Sequence, residues 1–307
     1  MKRVIITGAT SMLGLALIHE CIQNNTEVIA IIRENSRKRN LIPINPLISV
    51  IECDLAKIHS INIAGKCCYD AFYHLAWAFT DNLNRNLVEE QHYNIEYTLA
   101  AVKLASRLRC KKFVGAGSQA EYGRVRGKIS ADMCVAPDSA YGVAKYTAGR
   151  LSSILCQQMG MEFIWMRIFS TYGINDMPST MIMYTIDCLL KKKKPLLTKC
   201  EQMWDYLNCR DAAKAFFLIG AKGKNQAVYN IGSGQEIILS EYVCKIRNLI
   251  DSNLPLGIGE REYAPNQIMT LCADISNLTL DTGFVPSISF DEGIKETINW
   301  YRSFKLF

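Results

Sequence analysis

The first half of the chain alternates short, continuously apolar segments with longer segments whose apolar residues recur at helical spacing. A strand that is apolar at every position is buried on both faces, and helices between such strands are the connections that a parallel sheet requires. The predicted strands are Val4–Thr7, Glu27–Ile32, Leu47–Ile51, Ala71–Leu75, Lys112–Ala116 and Phe163–Ile168, and the predicted long helices are Leu13–Asn24, Asn86–Leu108 and Ser139–Met159. The pattern predicts an α/β fold with a doubly wound parallel sheet of the Rossmann type.

The pattern becomes less regular after residue 170, where five of the eight prolines are found. No linker or low-complexity segment separates the two regions. The sequence predicts a Rossmann-type domain over residues 1–170 and a smaller C-terminal α/β lobe over residues 171–307, with some of the chain crossing back to the sheet. Such a lobe would close over the carboxyl edge of the sheet, where doubly wound proteins bind their ligands.

Composition argues against several other classes of protein. Hydrophobic residues make up 49% of the chain, no apolar run is long enough to cross a membrane, and a strand pattern begins directly after Met1, Lys2 and Arg3. We therefore expect neither a membrane span nor a signal peptide. The twelve cysteines include no CxxC pair, which predicts reduced thiols in a cytoplasmic protein and no metal site. The net charge is +6, but aromatic residues do not interleave with the basic clusters, so no nucleic-acid partner is predicted.

The first predicted strand runs into a loop, Thr7–Gly14, with glycines at its second and last positions. A bare backbone there can approach a phosphate, and the N-terminus of the following helix offers free amide groups. Ser11 occupies the place of a third, middle glycine. It is small, and its hydroxyl can donate to a phosphate or cap the helix. Alone, this loop is also compatible with an ordinary strand–turn–helix junction.

Tyr141 and Lys145 are four residues apart in a predicted helix and therefore lie on one face. An ammonium beside a phenol favours the phenolate and lowers its pKa, which makes Tyr141 a usable general acid or base near neutral pH. Ser118 follows the fifth predicted strand, where its hydroxyl can hydrogen-bond a substrate carbonyl or alkoxide. Separately, these residues could be an exposed helical pair and a cap serine. Their order along the chain predicts an oxidoreductase site.

With further motifs, these features resemble the extended short-chain dehydrogenases/reductases, chiefly those that act on nucleotide-activated sugars. The resemblance covers nearly the whole chain. Its further motifs are Cys53-Asp54-Leu55, Tyr73-His74-Leu75-Ala76, Asn94, Glu121-Tyr122-Gly123, Arg167–Gly173, Trp204-Asp205-Tyr206, Asp211-Ala212-Ala213, Tyr229–Gly234, Ala273-Asp274, Phe290–Gly293 and Trp300-Tyr301.

The resemblance implies a role for each matching position. Tyr141 would be the proton donor and acceptor, Lys145 would bind the nicotinamide ribose and depress the pKa of Tyr141, and Ser118 would polarise the substrate oxygen. The helices that carry Asn94 and Tyr141 would pair across a homodimer interface. The candidate cofactor site comprises Gly8, Thr10, Ser11, Met12, Leu13, Gly14, Arg33, Ser36, Asp54, Leu55, Leu75, Ala76, Trp77, Asn94, Ala116, Tyr141, Lys145 and Ile168. The candidate substrate site comprises Ser118, Gln119, Ser170 and Trp204.

The end of the second strand bears on the cofactor. An acidic residue there usually bonds the ribose hydroxyls of NAD, whereas this chain has Arg33, with Glu34 one place later. A guanidinium suits the 2′-phosphate of NADP, and Ser36 or Arg37 could assist it. We therefore favour NADP, while Glu34 leaves NAD possible.

The neighbours of Ser118 bear on the reaction. Dehydratases of the family carry an Asp-Glu pair where this chain has Gln119 and Ala120, so the sequence favours an NADPH-dependent 4-ketoreductase acting on a nucleotide sugar. A 4-epimerase with tightly bound NAD is the alternative, and a catalytically silent NADP-binding regulatory module is a third reading. Many relatives have an arginine where Trp204 stands and another about ten residues before Asp274, and this chain lacks both.

Overall fold

Fifteen strands and eight α-helices are found in the computed structural model, which describes residues 1–63, 68–81, 84–265 and 267–305. The strands are β1 (Arg3–Thr7), β2 (Glu27–Ile32), β3 (Ile48–Glu52), β4 (Ala71–His74), β5 (Lys112–Ser118), β6 (Lys128–Ile129), β7 (Glu162–Ile168), β8 (Ser170–Tyr172), β9 (Leu196–Leu197), β10 (Met203–Trp204), β11 (Tyr206–Asn208), β12 (Val228–Ile231), β13 (Ile237–Ile238), β14 (Gly257–Ile258) and β15 (Thr270–Ala273). The helices are α1 (Met12–Gln23), α2 (Val88–Arg107), α3 (Ala140–Gln158), α4 (Met181–Leu190), α5 (Cys209–Lys222), α6 (Leu239–Ile250), α7 (Ser276–Thr282) and α8 (Phe290–Lys305).

Seven parallel strands form the central sheet in the order β12-β7-β5-β4-β1-β2-β3. The order reverses between β1 and β4, and doubly wound sheets open a ligand crevice at such a point. The predicted fold class is confirmed. Each predicted strand and helix is present, with its ends shifted by at most two residues. The strand β12 has no counterpart among the predicted strands, and it brings the chain back to the sheet from the C-terminal region.

Each face of the sheet is covered by helices, as the continuously apolar strands require. Val4 and Ile6 pack with α1 and α5 on one face, whereas Ile5 packs with α2 and α3 on the other. The helices begin where side-chain caps place them, for example at Ser11 before α1 and at Ser139 before α3. The caps therefore set where α1 begins after β1 and where α3 begins in the segment that follows β5 and β6.

Most of the remaining elements form a smaller lobe, whereas α7 packs on α5 and on β12 of the main sheet. A second sheet has the order β13-β10-β15-β6, and β11 pairs with β8 in a parallel ribbon. Helices α4, α6 and α8 enclose a separate apolar core that includes Ile186, Ile246 and Ile294. The lobe therefore lies next to the residues that end β5 and β7.

Candidate active site

The loop between β1 and α1 is held in one conformation by close packing. Gly8 has φ +69°, and a Cβ on it would lie 2.7 Å from the amide nitrogen of Ala76. A Cβ on Gly14 would lie 2.3 Å from the carbonyl oxygen of Gly8. The Ser11 hydroxyl accepts from the Gly14 amide at 3.0 Å and so caps α1. The other residues predicted in this loop are partly exposed beside it: Thr10, Met12 and Leu13.

Two charged side chains, Arg33 and Glu34, follow the end of β2. Arg33 is exposed and has no ion pair within the described parts of the chain, while Glu34 pairs with Lys57 at 3.3 Å. The amide of Ser36 donates to the carbonyl of Arg33 at 3.1 Å, which turns the chain back over this end of the sheet. Arg33, which was predicted to bind the 2′-phosphate of NADP, therefore carries an accessible guanidinium.

The end of β3 leaves a carboxylate oxygen without a partner. Oδ1 of Asp54 is buried and accepts no hydrogen bond from any described residue. Asp54 precedes a short 3₁₀ helix, Leu55–Ser60, and does not cap it with its side chain. A buried acceptor without a donor is uncommon, and a ligand amino group would satisfy it.

The segment after β4 is clamped by two amide side chains of α2. Trp77 Nε1 donates to Gln91 Oε1 at 2.9 Å, and Gln91 Nε2 donates to the carbonyl of Phe79 at 2.9 Å. The Asn94 side chain bonds both the amide and the carbonyl of Ala78, at 2.9 and 3.0 Å. Asn94 was expected to contact the cofactor itself, but its amide is used by the protein backbone. Asn94 therefore holds the segment after β4, and its predicted contact with the cofactor stays a prediction.

Ser118, Tyr141 and Lys145 converge at the carboxyl end of β5. Ser118 is the last residue of that strand and pairs in register with Ile168 of β7. Tyr141 and Lys145 stand one turn apart near the start of α3, which packs on β5 and on the 3₁₀ turn after Ser118. Burial raises the pKa of the Tyr141 phenol, and the nearby Ser118 hydroxyl offsets part of that rise. The convergence places a hydroxyl, a phenol and an amine in one cluster.

The Lys145 amine contacts the backbone of β5 and the indole of Trp77. Its Nζ donates to the carbonyl of Ala116 at 2.7 Å and lies 3.7 Å from the centre of a Trp77 ring. Burial lowers the pKa of Lys145 to about 7, against a smaller opposing effect of the Glu121 carboxylate. The amine is therefore poised to change its charge near neutral pH.

Tyr141 is tuned by other groups than the sequence suggested. Burial raises the pKa of its phenol, and the nearby Ser118 hydroxyl and Arg85 charge offset part of that rise. The Arg85 guanidinium lies 4.7 Å from the centre of the Tyr141 ring, whereas Lys145 Nζ is 5.7 Å from it. In this arrangement the Lys145 amine is engaged by Ala116 and Trp77, and its predicted effect on the pKa of Tyr141 stays a prediction.

The predicted substrate residues lie where the lobe meets the sheet. Trp204 Nε1 donates to Ser170 Oγ at 2.9 Å, and its carbonyl accepts from the Tyr242 hydroxyl at 3.0 Å. Gln119 begins the 3₁₀ turn after Ser118 and is partly buried. Two of these four predicted residues, Ser170 and Trp204, are thus in direct contact.

Sequence reasoning missed two residues of this site. Nothing in the motifs pointed to Arg85, because its neighbour Tyr141 is far away in the chain. Gln91 carried a weak signal, since it stands three residues before Asn94 on the same helix face.

Within the described residues, no group of three or more His, Cys, Asp or Glu side chains could hold a metal ion, and no helix is long and apolar enough to cross a membrane.

Comparison with known proteins identifies the family. The model of the NAD dependent epimerase/dehydratase family matches residues 4–232. The chain belongs to this family. The predicted resemblance to the extended short-chain dehydrogenases/reductases is thereby confirmed.

Individual members of the epimerase/dehydratase family match the chain over nearly its whole length. A putative UDP-glucose 4-epimerase of Methanocaldococcus jannaschii is 26% identical over 98% of each chain. A dTDP-glucose 4,6-dehydratase of Streptomyces niveus is 22% identical over 98% of this chain and 93% of its own. The structure of a UDP-N-acetylglucosamine 4-epimerase from Methanobrevibacter ruminantium M1, solved with UDP-N-acetylmuramic acid, superimposes with a TM-score of 0.88 at 22% identity and covers 98% of both chains.

The residues of this epimerase/dehydratase family member fit a dinucleotide. The Gly8 turn leaves backbone space beside β4 that any side chain would fill. The buried Oδ1 of Asp54 offers an acceptor that the described protein groups leave unsatisfied. Gly8 follows β1 at the β1/β4 crevice, and Asp54 follows β3 at the same carboxyl edge of the sheet, where the cofactor of such a fold binds.

Proposed function

We propose that the protein is a nucleotide-sugar 4-epimerase that works with a tightly bound NAD. The observation that carries this proposal is the convergence of Ser118, Tyr141 and Lys145 at the carboxyl edge of the sheet that also carries the Gly8 turn. Family membership supports a cofactor of the NAD type, and two of the three relatives described above are named as 4-epimerases. We infer epimerisation in preference to the reduction that the sequence had favoured.

When bound, the nicotinamide would accept a hydride from the sugar and return one to it. Tyr141 would take the proton of the sugar hydroxyl and return it to the oxygen of the transient ketone, while the hydride returns to the opposite face of the ketone carbon. Ser118 would hydrogen-bond the same oxygen as its charge develops. Arg85 above the phenol ring favours the phenolate, which is the form that accepts the proton.

Elimination of water is a poorer fit for this chain. A dehydratase needs an acid and a base beside the catalytic hydroxyl, and here those positions are Gln119 and Ala120. An amide and a methyl group do not exchange protons near neutral pH. We therefore do not extend the dehydratase activity of some relatives to this protein.

The deciding experiment starts with purified protein and no added cofactor. We expect acid or heat to release stoichiometric NAD, identified by chromatography. UDP-glucose, UDP-N-acetylglucosamine and dTDP-glucose are then incubated with the protein, and C4 epimers of one of them are expected by NMR. Bound nucleotide without any conversion of these or of 4-keto sugars would instead favour the silent regulatory module.

A 4-ketoreductase that uses NADPH is the second candidate, and Arg33 is the observation that favours it. If this exposed guanidinium holds a 2′-phosphate, Arg33→Asp should weaken NADPH binding about 10- to 100-fold, since a charged hydrogen bond contributes about 1.5–3 kcal/mol. Fluorescence titration with NADPH and NADH measures this. Lys38→Asp, in the same exposed loop, is the control, and equal NADPH affinity in both variants would contradict the role of Arg33.

We also propose that the protein is a homodimer through the outer face of α2 and α3. Val143 and Ile154 of α3 are 47% and 48% exposed, and Tyr93 of α2 is 48% exposed, although these helices pack closely on each other. Apolar side chains in such a continuous helical face are typical of a protein–protein interface. We expect Ile154→Asp to yield a monomer by light scattering, whereas Leu280→Asp, at an exposed position on α7, should leave the dimer intact. A wild-type monomer would refute the proposal.

A further inference from the structure

A completely buried carboxylate lies directly behind Ser118. Glu121 is 0% exposed and belongs to the turn that follows β5. Its Oε1 accepts from the Ser118 amide at 2.8 Å and from Trp165 Nε1 at 2.9 Å, and its Oε2 accepts from Arg167 Nε at 2.8 Å. The carboxylate therefore ties the backbone of Ser118 to two side chains of β7.

The surrounding backbone is shaped to admit Trp165. A Cβ on Gly115 or Gly117 of β5 would lie 2.3 Å from the indole, and one on Gly149 of α3 would lie 2.7 Å from it. Side chains at these three positions would displace the ring that donates to Glu121. The glycines of β5 thus make room for the Trp165 indole. Glycines next to a cofactor instead let the backbone approach the cofactor closely.

Stability alone does not account for the Glu121–Arg167 pair. Replacing a buried ion pair by apolar residues of similar volume is often neutral or even stabilising. What apolar residues would not provide is an acceptor for the Ser118 amide, which lies in a buried position. Neither would they restrain Ser118 beside the Tyr141 phenol.

We propose that Glu121 is a positioning residue for Ser118, with Trp165 and Arg167 fixing its carboxylate from the far side. The inference rests on the proposed function, because it concerns the hydroxyl that would bond the reacting oxygen. Displacing a catalytic group by as little as 1 Å can cost about 10²-fold in rate. The network would therefore act on turnover and leave substrate affinity largely unchanged.

The test compares two double variants that both lack the ion pair. Glu121→Gln with Arg167→Met keeps an oxygen that can accept from the Ser118 amide. Glu121→Met with Arg167→Met has a side chain of similar length without that oxygen. We expect similar thermal midpoints and bound NAD in both. We expect the first to keep kcat within about threefold of wild type and the second to lose about 10²-fold in kcat, with KM within about twofold.

Equal kcat in the two double variants, or losses that only follow their thermal midpoints, would overturn the proposal. Amide hydrogen exchange of Ser118 in the wild-type protein supplies a readout that needs neither variants nor turnover. A slowly exchanging amide supports the bond to the buried carboxylate, and a rapidly exchanging one refutes it. If the wild type turned over no sugar nucleotide, the proposed function would fail while this exchange measurement still tested Glu121.

Discussion

Tyr141→Phe is expected to lower turnover by about 10²–10⁴-fold, the usual contribution of a positioned general acid or base. The phenyl ring keeps the packing against Trp77, whose ring centre is 6.1 Å away, and the contact with the Arg85 guanidinium. Only the hydroxyl that moves the proton is lost. The affinity for NAD should therefore remain close to that of the wild type, which a fluorescence titration measures beside the epimerisation rate.

Tyr146→Phe is the matched control for this variant. Tyr146 lies on the same helix, five residues further along, and lines a groove with Gly149 and Arg150. Its hydroxyl has no place in the proposed proton transfer, so its loss should leave turnover unchanged. Normal turnover by Tyr141→Phe would remove Tyr141 from the mechanism, and equal losses in both variants would point to a general effect on the helix.

Gly8→Val is expected to abolish cofactor binding. The φ of +69° at this position is strongly unfavourable for a β-branched residue, and its Cβ would lie 2.7 Å from the Ala76 amide and 2.9 Å from the Leu75 carbonyl carbon. Relief of that contact must move the loop away from β4 and therefore open the β1/β4 crevice. Backbone strain of this kind costs about 1–3 kcal/mol before the clash is counted, so the thermal midpoint should also fall.

Ser11→Gly is the matched change in the same loop. It removes the hydroxyl that caps α1 through the Gly14 amide, and glycine at a cap position costs only a few tenths of a kcal/mol. Cofactor binding should be retained. Isothermal titration with NAD checks both variants, after bound nucleotide has been removed. A valine variant that binds NAD normally would contradict the assignment of this loop to the dinucleotide.

Local patterns accounted for much of the fold and part of the candidate site. The apolar runs of β1, β2 and β5 predicted a sheet buried on both faces, which is what the structure has. The strand β12 was not predicted, because four residues inside an irregular region carry little periodicity. The predicted trio at the end of β5 is brought together in space, while its catalytic roles stay predictions.

The reaction and the cofactor were harder to predict. The sequence favoured NADPH-dependent reduction because Arg33 stands at the end of β2, but one cation does not exclude NAD when no motif specifies the reaction. Family membership supports NAD and makes epimerisation the better proposal. Reduction of a ketone and oxidation of an alcohol use the same tyrosine. The motif alone therefore does not distinguish a ketoreductase from an epimerase.

By itself, the sequence determined which segments become strands and helices and which residues stand at their carboxyl ends, because periodicity and capping act over a few neighbouring residues. Only the tertiary structure decided that Lys145 turns to Ala116 and Trp77, that Arg85 covers Tyr141, and that Glu121 holds Ser118 from behind. Lys145 and Ala116, like Arg85 and Tyr141, are far apart in the chain. Their directions, and the clamping of Glu121 by β7, depend on how α2, α3 and β7 pack around β5, which no local pattern records.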